Sequence, residues 1–203
     1  MEKLLNSYTL TTVSRFSFAL LALLASNSSD AESLKIQSPS QNESVSYNCS
    51  QSTCSAWIDR HSDRLFFFKN LPINAVTARW ISSDIAQVSF SCGSPCSVSF
   101  FYKESKGISK DIHDILAISI PNECALIPTD DGIATIYLFD KNQDRTLWHA
   151  RYNDRKFDFN TQSATPFSTI KAKFNADNTL ELNYQNSNNS LISRKIKNPC
   201  IIK

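Results

Sequence analysis

From Arg64 onward, apolar and polar residues alternate in short runs separated by turn-forming residues. The stretches 64–69, 75–81, 85–91 and 97–102 are rich in β-branched and aromatic side chains, the composition that suits a pleated, half-buried strand. The pattern resumes at 112–120, 123–127, 133–139, 146–152, 168–174, 180–185 and 191–196. Between these runs lie Asp130-Asp131-Gly132 and the Asn- and Asp-rich stretches 140–144, 175–178 and 186–189, which favour tight reversals. One candidate helix, 109–116, is short and β-branched. The expectation is an all-β fold, a single disulfide-bonded domain of short antiparallel strands, arranged as a β-sandwich or as an incomplete propeller-like array.

Two aromatic runs, Phe66-Phe67-Phe68 and Phe100-Phe101-Tyr102, place large rings on both faces of their strands, as expected where both faces meet a core. Residues 32–63 are rich in Ser, Asn and Gln and read as a polar N-terminal arm, leaving 64–203 as the β domain.

A repeat adds detail. Ala78-Arg79-Trp80 followed by Asp84, Val88 and Phe90 aligns without gaps on Ala172-Lys173-Phe174 followed by Asn178, Leu182 and Tyr184, and 117–127 offers a middle copy. The motif of apolar strand, Asp or Asn turn and alternating strand resembles the repeats of β-propeller blades in small exported proteins. That resemblance implies several strands per unit and roughly two and a half to three units here, whereas a ring closes with at least about four. The strands would then close as a sandwich or small barrel, or leave a ring to be completed by another copy or a partner chain.

The N-terminal residues change the cellular setting. Lys3 and Arg15 precede an apolar run at 16–25 and a small polar stretch ending at Ala31, the order found in a secretory signal peptide. The run is shorter than the roughly 20 residues needed to span a bilayer, so residues 1–31 read as a removable signal peptide, cut before Glu32 or after Ser28 or Ala25. No later stretch is long and apolar enough for a membrane span. The expected location is periplasmic or secreted.

All six cysteines, Cys49, Cys54, Cys92, Cys96, Cys124 and Cys200, follow that leader, and an even number in an oxidising compartment argues for three disulfides. Spacing suggests Cys92–Cys96 across Gly93-Ser94-Pro95, Cys49–Cys54 across a polar loop, and by remainder Cys124–Cys200. A redox centre calls for Cys-x-x-Cys at a helix start, and the three intervening residues here run into a strand instead. A zinc site calls for closely spaced partner ligands, whereas His61, His113 and His149 stand apart in the sequence.

Charge and glycine content narrow the functions further. The net charge of +2 comes from mixed acidic and basic residues, with a local excess only at Arg194, Lys195, Lys197 and Lys203, so nucleic acid is not an expected partner. With Gly93, Gly107 and Gly132 as its only glycines, the chain holds no phosphate-cradling loop, dinucleotide fingerprint or nucleophile elbow, and no cofactor is expected. Two places could hold a catalytic histidine: His61 beside Asp59 and Asp63, and His113 between Asp111 and Asp114. Glu104, Glu123 and Glu181 are candidates for paired carboxylates. Asp140, Asn142 and Asp144 resemble the start of a calcium loop, but Arg145 stands where glycine would be needed and Arg151 where the closing glutamate would be.

These features favour an exported, non-enzymatic recognition protein that binds another protein, in the manner of an inhibitor or immunity protein, or that self-associates. An envelope hydrolase and a structural or surface protein are the alternatives.

Overall fold

The computed structural model describes residues 32–50, 52–61, 63–141, 145–162 and 166–201; the expected signal peptide lies outside them. The chain forms four antiparallel sheets, and within each the strands neighbour one another in chain order. The first sheet holds β1 (Glu32–Gln37), β2 (Ser44–Ser50), β3 (Thr53–Asp59) and β4 (Arg64–Leu71). The second holds β5 (Thr77–Trp80), β6 (Ile85–Ser91), β7 (Ser97–Lys103) and β8 (Gly107–Ile108), with β9 (Ile112–His113) also paired to β7. The third is β10 (Ala117–Ser119), β11 (Cys124–Thr129), β12 (Gly132–Tyr137) and β13 (Thr146–Arg151). The fourth is β14 (Lys171–Phe174), β15 (Thr179–Gln185) and β16 (Leu191–Lys197). A short 3-10 turn, Pro166–Thr169, precedes β14, and no α-helix occurs among the described residues. The candidate helix at 109–116 instead contains β9 and ends near Asp114, whose positive φ of 49° turns the chain away from it.

The expected polar arm is therefore three strands of a sheet, and the boundary at 63/64 falls within that sheet. Its apolar residues are few but alternate. Val45, Tyr47 and Cys49 on β2 and Cys54, Ala56 and Ile58 on β3 all face inward and are buried. The expected two and a half to three units become four sheets for this reason, and they do not close as a barrel.

Alternation along each strand decides which neighbour each side chain meets. In the second sheet, Ala86, Val88 and Tyr102 pack toward the first sheet, while Ile85 and Phe101 point the other way and meet Ala125, Ile136 and Leu138 of the third. In the third sheet, Leu126, Ile133 and Ala150 face the fourth, where they meet Leu180, Leu182 and Tyr184. Each middle sheet is thus covered on both faces, as in stacked propeller blades and unlike a two-layer sandwich. Among the described residues, the three cores join successive sheets only.

The aromatic runs follow the same logic, although the β3–β4 pairing shifts register twice, between Cys54 and Ala56 and between Ala56 and Trp57. Ala56 pairs with Phe68 and Trp57 with Phe66, so Phe67 is the extra residue of a β-bulge. Phe67 and Phe68 can then both turn toward the core, where Phe68 meets the rings of Phe90 and Phe100 at 5.5 and 5.8 Å.

The repeat is real in three dimensions. Ala78 pairs with Val88 and Arg79 with Gln87; Ala172 pairs with Leu182 and Lys173 with Glu181. The corresponding hairpin of the third sheet pairs Ala117 with Leu126.

The three disulfides are Cys49–Cys54, Cys92–Cys96 and Cys124–Cys200, with Cα separations of 4.1, 5.1 and 6.1 Å. The first two lie across hairpins; the third ties the C-terminal residues to the start of β11. Beside it, the Thr135 hydroxyl donates to the Pro199 carbonyl at 2.5 Å.

Candidate functional site: the histidines and the lysine face

The expected catalytic histidines are held apart. His61 is exposed at the turn between β3 and β4, in a shallow polar depression that also includes Glu43, Arg60, Asp63 and Glu104. Its acidic neighbours serve other groups. Asp59 accepts hydrogen bonds from the Ser46 hydroxyl and the Trp57 indole, both at 2.9 Å, and from Arg64 at 3.0 Å, while Asp63 pairs with Arg60. Burial works to raise the Asp59 pKa, but those three hydrogen bonds outweigh it and hold the carboxyl below its usual range. Beside this depression, the Tyr102 phenol donates to Glu43 at 2.5 Å, and burial together with that carboxylate pushes its pKa well up.

His113 is exposed and meets Asp111 at 3.1 Å through Nε2. Asp114 is hydrogen-bonded to Ser97. Its carboxylate accepts from the Ser97 backbone N–H at 2.7 Å, and its own N–H donates to the Ser97 carbonyl at 2.9 Å. A third pair was not anticipated: His149 lies 3.0 Å from Asp131, because the register of β12 and β13 brings the end of one strand to the turn before the other.

The three candidate glutamates belong to different settings. Glu104 borders the His61 depression, and Glu181 lies on the fourth sheet. Glu123 is clamped by Lys103 at 2.7 Å and by Lys106. Burial works to raise its pKa, but the two ammonium groups prevail and lower it. Of the calcium-like residues, Asn142 and Asp144 lie outside the described residues. Asp140 borders a depression shared with Lys106, Lys110 and Lys141, a charge setting that repels a divalent cation.

The feature that the sequence understated is the outer face of the fourth sheet. The even-numbered apolar residues of its strands, Ala172, Phe174, Leu180, Leu182, Tyr184, Ile192 and Ile196, enter the core, so the odd-numbered ones share the opposite face. Lys171, Lys173, Lys195 and Lys197 are all exposed there. The register places Glu181 between Lys173 and Lys195, and Thr179 beside Lys197. Leu191, at the start of β16 on the same face, is 77% exposed. The basic cluster noted near the C-terminus is thus half of a larger surface: Lys171 and Lys173 join Lys195 and Lys197 through strand pairing, while Arg194 points the other way and donates to the Lys156 carbonyl at 3.2 Å.

No protein-family model matches the chain, and no curated protein matches its sequence.

Proposed function

We propose that this chain is an exported, non-enzymatic recognition protein whose partner is another protein presenting an acidic surface. The observation that carries the reading is the four-lysine face of β14, β15 and β16, where four ammonium groups outnumber the carboxylates of Glu181 and of Asp177 at the β14–β15 turn, edged by the exposed Leu191. Clustered charge of one sign steers an oppositely charged partner and accelerates encounter. An exposed leucine at the edge adds apolar area that a protein can cover and that a simple polyanion would leave wet. The packed core behind it keeps the face rigid, which lowers the entropy cost of docking.

Three disulfides are consistent with an oxidising, exported location. No helix among the described residues is long and apolar enough to cross a membrane. Periplasm or external medium as the final compartment, and an inhibitor- or immunity-like role, extend the same proposal.

The test is a pull-down with the tagged, oxidised protein from the envelope and secreted fractions of its source, with mass spectrometry of the eluate. The expected result is a stoichiometric protein partner that is released by salt and lost with Lys173→Glu/Lys195→Glu. Failure to retain any partner, by protein shown to be folded and disulfide-bonded, overturns the reading, as does equal retention by the charge-reversed variant.

A further inference from the structure

Strand pairing assembles a group of metal-ligating side chains that the sequence keeps apart. Cys92 and Cys96 flank the turn between β6 and β7, and His113 ends β9, which pairs with β7 through Val98–His113 and Ser99–Ile112. Both sulfur atoms and a ring nitrogen of His113 lie within 4.8 Å of one another. Around a tetrahedral ion with bonds of about 2.0–2.3 Å, ligand atoms stand about 3.5 Å apart, so small side-chain rotations suffice to close the shell.

We propose that Cys92, Cys96 and His113 form a redox-gated site for a borderline divalent cation such as Zn²⁺, closed while the two sulfurs are joined and opened when a dithiol reduces them. In the opening step the dithiol exchanges with the Cys92–Cys96 bond. That S–S bond breaks, the reductant closes to its own disulfide, and the protein gains two thiols. Cation binding then displaces the two thiol protons, giving two thiolate ligands, and neutral imidazole donates a nitrogen lone pair. Three protein ligands leave one tetrahedral position for water or another donor.

Two structural features support the gating. The site's frame does not depend on the disulfide. Ser97, next to Cys96, and Asp114, next to His113, are locked by the hydrogen bonds of 2.7 and 2.9 Å between them. Within the turn, the Cys92 and Cys96 amides donate to the Cys96 and Gly93 carbonyls at 3.2 and 2.8 Å. The ligands therefore remain near one another after reduction, with Asp111 orienting the imidazole through Nε2, as carboxylates commonly do for metal-bound histidine. Selectivity follows from exposure: Cys92 is exposed and Cys96 half-buried, whereas Cys49, Cys54, Cys124 and Cys200 are buried, so a reductant reaches this bond first.

The test begins with mild dithiol treatment of the whole protein, removal of the reductant under anaerobic conditions, and alkylation of a sample to establish that Cys92 and Cys96 alone have opened. Titration with Co²⁺, a spectroscopic stand-in for Zn²⁺, is expected to give a thiolate-to-cobalt charge-transfer band that saturates at one equivalent and is bleached by Zn²⁺. The oxidised protein and Cys92→Ser/Cys96→Ser should show no band. His113→Ala, a substitution at an exposed position, with its fold verified by circular dichroism, should weaken Co²⁺ binding at least ~10-fold. Absence of the band from opened protein, its presence in the serine variant, or unchanged affinity in His113→Ala overturns the proposal.

Discussion

The indole of Trp80 donates its Nε1–H to the backbone carbonyl of Ile36 at 3.2 Å, joining the first strand of the second sheet to the first strand of the one before it. Trp80→Phe keeps an aromatic ring in the same core but removes the donor together with part of the indole's packing volume. Loss of the hydrogen bond alone typically costs about 1 kcal/mol, and equilibrium urea unfolding should show a lower midpoint with an unchanged slope.

The three disulfides should differ in what they contribute. Loop-closure entropy assigns about 4.5 kcal/mol to the long Cys124–Cys200 loop and about 2 kcal/mol to the short Cys49–Cys54 loop. Paired replacement by alanine should therefore lower the unfolding midpoint much more for Cys124/Cys200 than for Cys49/Cys54.

Leu182 and Leu191 offer a contrast between two leucines on adjacent strands. Leu182 is fully buried between the third and fourth sheets, and Leu182→Ala should cost about 2–5 kcal/mol. Leu191 is 77% exposed, and Leu191→Ala should stay within about 0.5 kcal/mol of the parent protein while weakening partner capture. Denaturant melts combined with the pull-down would separate the two roles.

Gly132 has no room for a side chain. A Cβ there would lie 2.0 Å from the Ala150 carbonyl oxygen on the paired strand, and backbone cannot yield as a flexible side chain can. Gly132→Ala should destabilise the β12–β13 pairing by about 1–3 kcal/mol, visible as faster hydrogen exchange in those strands.

Acid should weaken the fold through Glu123. Its folded-state pKa lies below the usual carboxylate value because Lys103 and Lys106 outweigh the opposing effect of burial. A depressed pKa contributes stability above the unfolded-state value, and that contribution is lost as pH falls through the folded-state value. Glu123→Gln should therefore be less stable than the parent near neutral pH, and the gap should narrow as pH drops below the ordinary carboxylate range. Stability measured across that interval checks the sign.

Apart from the two-residue β8, which no run anticipated, and the run 112–120, which splits into β9 and β10, the strands from β4 to β16 were legible where β-branched and aromatic residues dominate, and even the register of Ala78 with Val88 and Ala172 with Leu182 is foreshadowed by the aligned repeat. Strands β1 to β3 were hidden because inward-facing Val45, Tyr47, Ala56 and Ile58 are interleaved with polar Ser, Asn and Thr, so that low overall hydropathy masked the alternation of apolar residues. Local spacing anticipated the pairing of Cys49 with Cys54 and of Cys92 with Cys96. It could not place His113 beside the latter, because that neighbourhood arises only when β9 folds back onto β7. The lysine face escaped notice for a similar reason: Lys171 and Lys173 are distant in sequence from Lys195 and Lys197, and only the two hairpin pairings bring them onto one surface.

Because each core is shared only by successive sheets, the molecule resembles a row of tiles whose end members have a single neighbour, and such arrays tend to peel from their ends. The bond from Cys200 back to Cys124 interrupts that weakness on one side: the last tile cannot drift away from the third while it holds. Wear and proteolytic attack should then begin at the opposite end, in the hairpin of β1 and β2, so the lysine-bearing surface is the terminal face that the chain has riveted in place.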